Sequence, residues 1–236
     1  MAQPLRNPSW FSLLGPAGVF FLTAGSSLAA GAPPPKMTSD QYQLLYSVPA
    51  IIYGLALANL VGEVGCLVRA RRSVPRSLPH IIWIFVVILF ILIMFFSGTK
   101  YSAPLNHFWV FLATIALAMF LYLAADALVI PSEKRLDPTL DYRKEFKSRD
   151  QHFIGYTIIA LLWLTARDWF TFHGDANMVS RVLHESSLRL SVCGVLLIPL
   201  LFPRTLIHIL TGLLCFAALI YHVYTAPGFI FPLSAS

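Results

Sequence analysis

Apolar and polar positions alternate along this chain in long blocks. Seven stretches, at 11–29, 45–68, 81–96, 108–130, 153–172, 188–202 and 205–224, are almost wholly apolar, and short polar connections separate them. A helix needs roughly 20 apolar residues to cross the hydrocarbon layer of a bilayer. Most of these stretches are apolar around the full helical turn, which is the pattern of a membrane span and not of an amphipathic surface helix. The pattern therefore predicts an all-α, polytopic membrane protein of about seven transmembrane helices, forming one transmembrane domain over residues 1–236. The third stretch (IIWIFVVILFILIMFF) holds no polar residue, and the sixth contains Pro199, which predicts a bent or shielded helix. The first contains Gly15, Pro16, Gly18 and Gly25 and runs into SSLAAGAPPP, much as a cleaved signal peptide ends. Arg6 is the one cationic residue before it, so a retained helix is expected. Segment 131–151 mixes acidic and cationic residues and is expected to be a solvated connector.

Composition agrees with this reading. The chain is 57% hydrophobic and 12% charged, whereas soluble domains average about 45–50% apolar and about 25% charged residues. A disordered chain, a nucleic-acid module and a disulfide-stapled secreted domain are excluded on the same grounds. Cys66, Cys193 and Cys215 all fall within spans and read as small packing residues. Lys and Arg collect in cytoplasmic loops. With a cytoplasmic N-terminus, the inner side holds Arg6, Arg69, Arg71, Arg72, Arg76, Arg204 and the cations of the 131–151 segment, while Lys36, Lys100 and Arg181 lie outside. The C-terminus then lies on the opposite face. The net charge of +6 thus needs no nucleic-acid partner, because the inner loops face an anionic leaflet. Membrane lipid is accordingly one expected partner, and no protein partner is specified.

Ionisable groups inside spans are expensive and functional by default. They form two groups. The inner one is Glu63, Asp126 and His208. Asn59 lies one turn before Glu63, and Tyr122 one turn before Asp126. Two carboxylates at similar depth are able to share a proton. A neighbouring stripe, Gly54–Ala58–Gly62, has the small-residue spacing of closely approaching helices. The outer group comprises Arg167, Asp168, Asp175, Arg181, His184, Glu185, Arg189 and His222, with Trp163, Trp169, Tyr221 and Tyr224 around them. Trp163 sits one turn before Arg167, which suits a cation–π contact. Pairing of Arg167 or Arg189 with Asp168 is the structural alternative.

Histidines offer a different chemistry. His208 and His222 share a helix face about 21 Å apart, a spacing that suits two haems near opposite membrane faces. His80 or His152 would supply the inner partner, and His107, His173 or His184 the outer one. No phosphate-binding loop, hydrolase elbow, zinc spacing or H-E-x-x-H helix is present, and no lysine lies within a span. No metal ligand set is expected.

A seven-helix chain of this size, with Glu63, Asp126 and Asp168 in its spans, resembles the small membrane-bound terpene and meroterpenoid cyclases of fungi. In the best-known branch of that family a tryptophan precedes the catalytic glutamate; here Gly62 precedes Glu63. The resemblance implies a lipophilic prenylated substrate, proton-initiated cyclisation or isomerisation, no cofactor, and an endoplasmic reticulum membrane. Burial nominates the residues: Asp168 as proton donor, Arg167 positioning it, His222 or Glu185 returning the proton, and Glu63 with Asp126 as a competing site. Trp163, Trp169, Tyr221, Tyr122 and Asn59 are the expected substrate contacts. Two other classes fit the residues: a b-type cytochrome or redox anchor using haem b at His208 and His222, and a non-catalytic carrier or assembly subunit.

Overall fold

The computed structural model describes residues 39–69, 77–98, 108–131, 141–171 and 178–225. These residues form helices α1 (Ser39–Arg69), α2 (Leu78–Gly98), α3 (Phe108–Leu128), α4 (Tyr142–Thr171), α5 (Met178–Leu201) and α6 (Thr205–Thr225), with no strand among them. The stretch at 11–29 lies outside the described residues.

Among the described residues, four helices are long and apolar enough to cross a membrane, through Leu45–Arg69 in α1, Leu78–Ser97 in α2, Val110–Leu128 in α3 and Thr205–Tyr224 in α6. By length and composition the protein is an integral, multi-pass membrane protein. The described residues thus give four candidate spans among six helices, and not the seven expected. Arg167 and Asp168 interrupt the apolar run of α4, and the apolar part of α5, Ser186–Leu201, is shorter than a span. The outward faces are what hydrocarbon requires: Ile51, Leu55, Val61, Leu206, Leu210 and Leu213 are exposed where a water-soluble protein would carry charge.

α4 begins at Tyr142, well inside the segment expected to be a solvated connector. Its start has a local cause. The Asp141 Oδ1 accepts from the backbone N–H of Arg143 (3.0 Å) and Lys144 (3.4 Å), a side-chain N-cap. One turn further on, Arg149 pairs with Glu145 at 3.1 Å across the i, i+4 spacing.

Successive helices pack into a ring in the order α1, α3, α4, α5, α6, α2 and back to α1, with α2 also touching α3 across it. Tyr53, Leu60, Trp83, Leu117, Leu121 and Phe153 are fully buried inside. Between lipid-embedded helices, tight packing replaces the hydrophobic effect as the cohesive term. One such contact is at Gly212 of α6, where a Cβ would stand 2.7 Å from the Ile82 Cγ2. Among the described residues, the stripe Gly54–Ala58–Gly62 makes no such contact. All three residues are exposed, and neither glycine has an atom within 4 Å of where its Cβ would be. The helical period placed those small residues on the outward face of α1.

Candidate functional site

The ring has two ends. The near end gathers the C-termini of α1, α3 and α5 and the N-termini of α2, α4 and α6; the far end gathers the opposite termini.

At the near end the last carbonyls of α3 have no partners within the helix. Side chains from neighbouring helices reach them. The His80 Nε2 of α2 donates to the Leu128 carbonyl at 2.8 Å, and the Arg149 Nη1 of α4 donates to the Val129 carbonyl at 2.9 Å. Cationic and N–H groups are favoured there by the negative end of the helix dipole. The Ile130 backbone N–H in turn donates to the Glu63 Oε2 of α1 at 3.3 Å. Glu63 is fully buried (0% exposed).

One residue beyond Arg149, the Asp150 Oδ2 lies 3.2 Å from the His208 Nε2 of α6, both side chains almost fully buried. The angle falls short of a directed hydrogen bond, so the contact is a close approach of the carboxyl and the imidazole. The Phe146 ring, one turn before Asp150, packs against His80 (5.6 Å between centroids), His208 (5.5 Å) and Phe153 (5.7 Å). Trp83 packs on Phe153 at 5.0 Å. Two carboxyl groups, two imidazoles and an aromatic wall from four helices are thus concentrated at one end of the bundle.

The far end holds one compact ion cluster. Asp168 is buried between two guanidinium groups: the Arg167 Nη2 donates to its Oδ1 at 3.1 Å, and the Arg189 Nη1 of α5 donates to its Oδ2. Both oxygens are occupied, and the pair with Arg189 joins α4 to α5. Tyr53 of α1 lies within electrostatic reach of Arg167.

The expected site residues therefore separate. Asp168 and Arg167 come together, with Arg189 as the second cation. Glu63 and Asp126 do not form a pair sharing a proton, since Glu63 faces the ring interior and Asp126 is exposed. The helical turn that brings Ala125 inward turns Asp126 out. The Trp163 indole N–H donates to the Ala113 carbonyl of α3 at 2.7 Å, and its ring packs edge-on against Phe120. Trp169 and Tyr221 are exposed, whereas Tyr122, Asn59 and His222 are half-buried. Glu185 lies on α5, with its side chain outside the described set.

The inner haem ligands fare no better. His80 turns its Nε2 to a carbonyl and His208 turns its Nε2 to Asp150, with Phe146 between the rings. This arrangement does not fit two imidazoles ligating one iron. His152 is exposed, His107 and His173 lie outside the described residues, and so does the His184 side chain. Among the described residues no group of three or more His, Cys, Asp or Glu side chains is arranged to hold a metal ion.

Sequence reasoning missed Asp150 and Phe146, which it left in the connector, and gave Trp83 no role. The signal for the first two was present in Asp141 and the Glu145/Arg149 spacing, which mark a helix start. Compared with protein-family models, curated proteins and solved structures, the chain matches none of them.

Proposed function

We propose that the chain is an intramembrane acid–base enzyme that cyclises or isomerises a lipophilic, prenylated substrate, with its chemistry at the near end of the helix ring. The observation that carries this reading is the buried Asp150–His208 pair, set at the same end as the fully buried Glu63. Ionisable groups are expensive to bury, about 2.5–3.5 kcal/mol at the centre of a span on membrane-insertion scales, so their presence points to a function. A carboxyl in an apolar site resists ionisation and is suited to donate a proton. Glu63 is the donor in this reading, to an epoxide oxygen; the C–O bond opens and leaves a carbocation. The π electrons of a neighbouring double bond close the C–C bond. A carbon next to the resulting cation then loses a proton to His208, held by Asp150, and proton transfer back to Glu63 restores the starting state. Aromatic faces such as Phe146 and Phe153 stabilise a cation in passing.

Asp168 is better assigned to holding α4 on α5, because both its oxygens already accept from arginines. The decisive experiment incubates the purified protein with prenylated epoxides and polyenes and follows product formation. Glu63→Gln should lower turnover by about a hundredfold or more, the usual range for a lost general acid, while Asp168→Asn should retain it. Full turnover in both variants would dismiss an acid role for either residue.

In this reading α4 and α5 also cross the bilayer, since α4 packs along α3 and α5 packs between α4 and α6. Segment 11–29 would add a seventh span. The near end, which carries Arg69, Arg143, Lys144, Lys147, Arg149 and Arg204, then faces the cytoplasm.

A further inference from the structure

Buried polar atoms without partners are rare in folded proteins, and each costs about 1–3 kcal/mol. Two such atoms stand close to the Asp150–His208 pair. The Trp83 Nε1 of α2 and the His208 Nδ1 of α6 have no hydrogen-bond partner among the described residues, at 0% and 3% residue exposure. Both lie where α2 packs on α6. A Cβ on Gly212 would lie 3.7 Å from the Trp83 Nε1, and Gly212 is one turn beyond His208 on the same face of α6. On α2, Trp83 is one turn beyond His80, and Phe146 packs against both histidines. Trp83 therefore meets α6 about one helical turn beyond His208, with Phe153 against Trp83 and Phe146 against His208.

We propose that Trp83 and His208 form a subsite for the oxygen atom of an uncharged lipophilic ligand: an epoxide, ketone or alcohol on a hydrocarbon chain. The chemistry selects this class. An indole N–H donates and never accepts, so its partner must be an acceptor. An anion would have to be desolvated beside the Asp150 carboxyl and against the apolar wall of Phe146 and Phe153, a cost that a neutral oxygen avoids. A hydrocarbon would leave both nitrogens without partners, whereas a neutral oxygen accepts from the Trp83 N–H and, as the hydroxyl it becomes on protonation, donates to the His208 Nδ1. The subsite deepens the acid–base reading above, since the oxygen it holds is the one that the enzyme would protonate.

The test uses the full chain in lipid nanodiscs, with empty nanodiscs as the partition control. Three radiolabelled probes of matched length are compared: a C15 prenyl epoxide, the corresponding ketone and the parent hydrocarbon. The wild type should bind the oxygenated probes about tenfold more tightly than the hydrocarbon, the equivalent of about one buried hydrogen bond. Trp83→Phe should abolish that preference and leave hydrocarbon binding unchanged. An unchanged preference in Trp83→Phe, or no preference in the wild type, would overturn the subsite and leave water as the partner of these nitrogens. Should Trp83→Phe fail to fold, the ¹⁵N-indole resonance of Trp83 in the wild type replaces it. That resonance should shift with the epoxide and stay fixed with the hydrocarbon; equal behaviour with both probes would overturn the subsite. A selective subsite without product formation would reject the enzyme reading alone. Product formation that is indifferent to Trp83 would reject the subsite alone.

Discussion

Gly212 shows how much a single position depends on which way its helix faces. An alanine there would bring its Cβ to 2.7 Å from the Ile82 Cγ2 and 3.6 Å from the Trp83 Cε2. Ile82 is β-branched and held to one rotamer on its helix, so its methyl cannot swing away. Overpacking of this kind costs about 1–3 kcal/mol. Gly212→Ala should therefore melt several degrees below wild type in detergent. Gly54→Ala and Gly65→Ala, which add a methyl where nothing lies within 4 Å and remove a helix-interior glycine, should melt at or slightly above the wild type. Equal melting of Gly212→Ala would show that α2 and α6 are not so close. Sequence spacing alone selected Gly54, Ala58 and Gly62 for close approach, because spacing identifies small residues on one face but not whether that face turns inward. The same ambiguity hid the difference between Glu63, which faces the ring, and Asp126, which does not.

At the scale of elements, the apolar helices were legible almost to their ends. The stretches at 81–96, 108–130 and 205–224 became Leu78–Gly98, Phe108–Leu128 and Thr205–Thr225. Their sequences are apolar throughout, and any backbone within hydrocarbon must satisfy itself as helix. α4 was legible only in its apolar half. Its charged first turns read as a loop by hydropathy, although Asp141 caps them and Glu145 pairs with Arg149. That misreading removed Asp150 from view and with it half of the near-end pair. The end of α3 was equally invisible, since its partners come from three other helices. A test follows from those partners. His80→Phe keeps a ring against Phe146 but leaves the Leu128 carbonyl without its donor. The loss should cost about 1–3 kcal/mol, read as a lower melting temperature. Hydrogen–deuterium exchange should rise at residues 128–131 and remain unchanged at the far end of α3. Uniformly faster exchange along α3 would mean that His80 supports the whole helix and not its terminus.

The whole molecule turns on whether α4 and α5 cross the bilayer. Length and apolarity alone qualify four helices, and on that count both would remain on the side where α3 ends. Packing argues differently. α4 runs along α3, and Trp163 donates to the carbonyl of Ala113, one turn inside the far end of the α3 span, a contact that sets the apolar half of α4 beside that span. The charges that lower its apolarity are paired with each other, Asp168 accepting from Arg167 and from Arg189 of α5, with one positive charge in excess. A paired charge at a span end is far cheaper than an isolated one at its centre. The two arrangements differ at a single accessible place, the start of α5. In a variant with Cys66, Cys193 and Cys215 replaced, new cysteines at Lys147, Val179 and Tyr224, all exposed, would report the two sides. With sealed vesicles, cytoplasmic face outward, a membrane-impermeant maleimide should label Lys147→Cys directly, and Val179→Cys and Tyr224→Cys only after permeabilisation. Tyr224 is predicted to be shielded in either arrangement, which makes Val179 the discriminating position. Direct labelling of Val179→Cys together with Lys147→Cys would reduce the protein to the four apolar spans. It would also detach the Asp168 cluster from the far face, because α4 could no longer carry Asp150 to one side of the bilayer and Asp168 to the other.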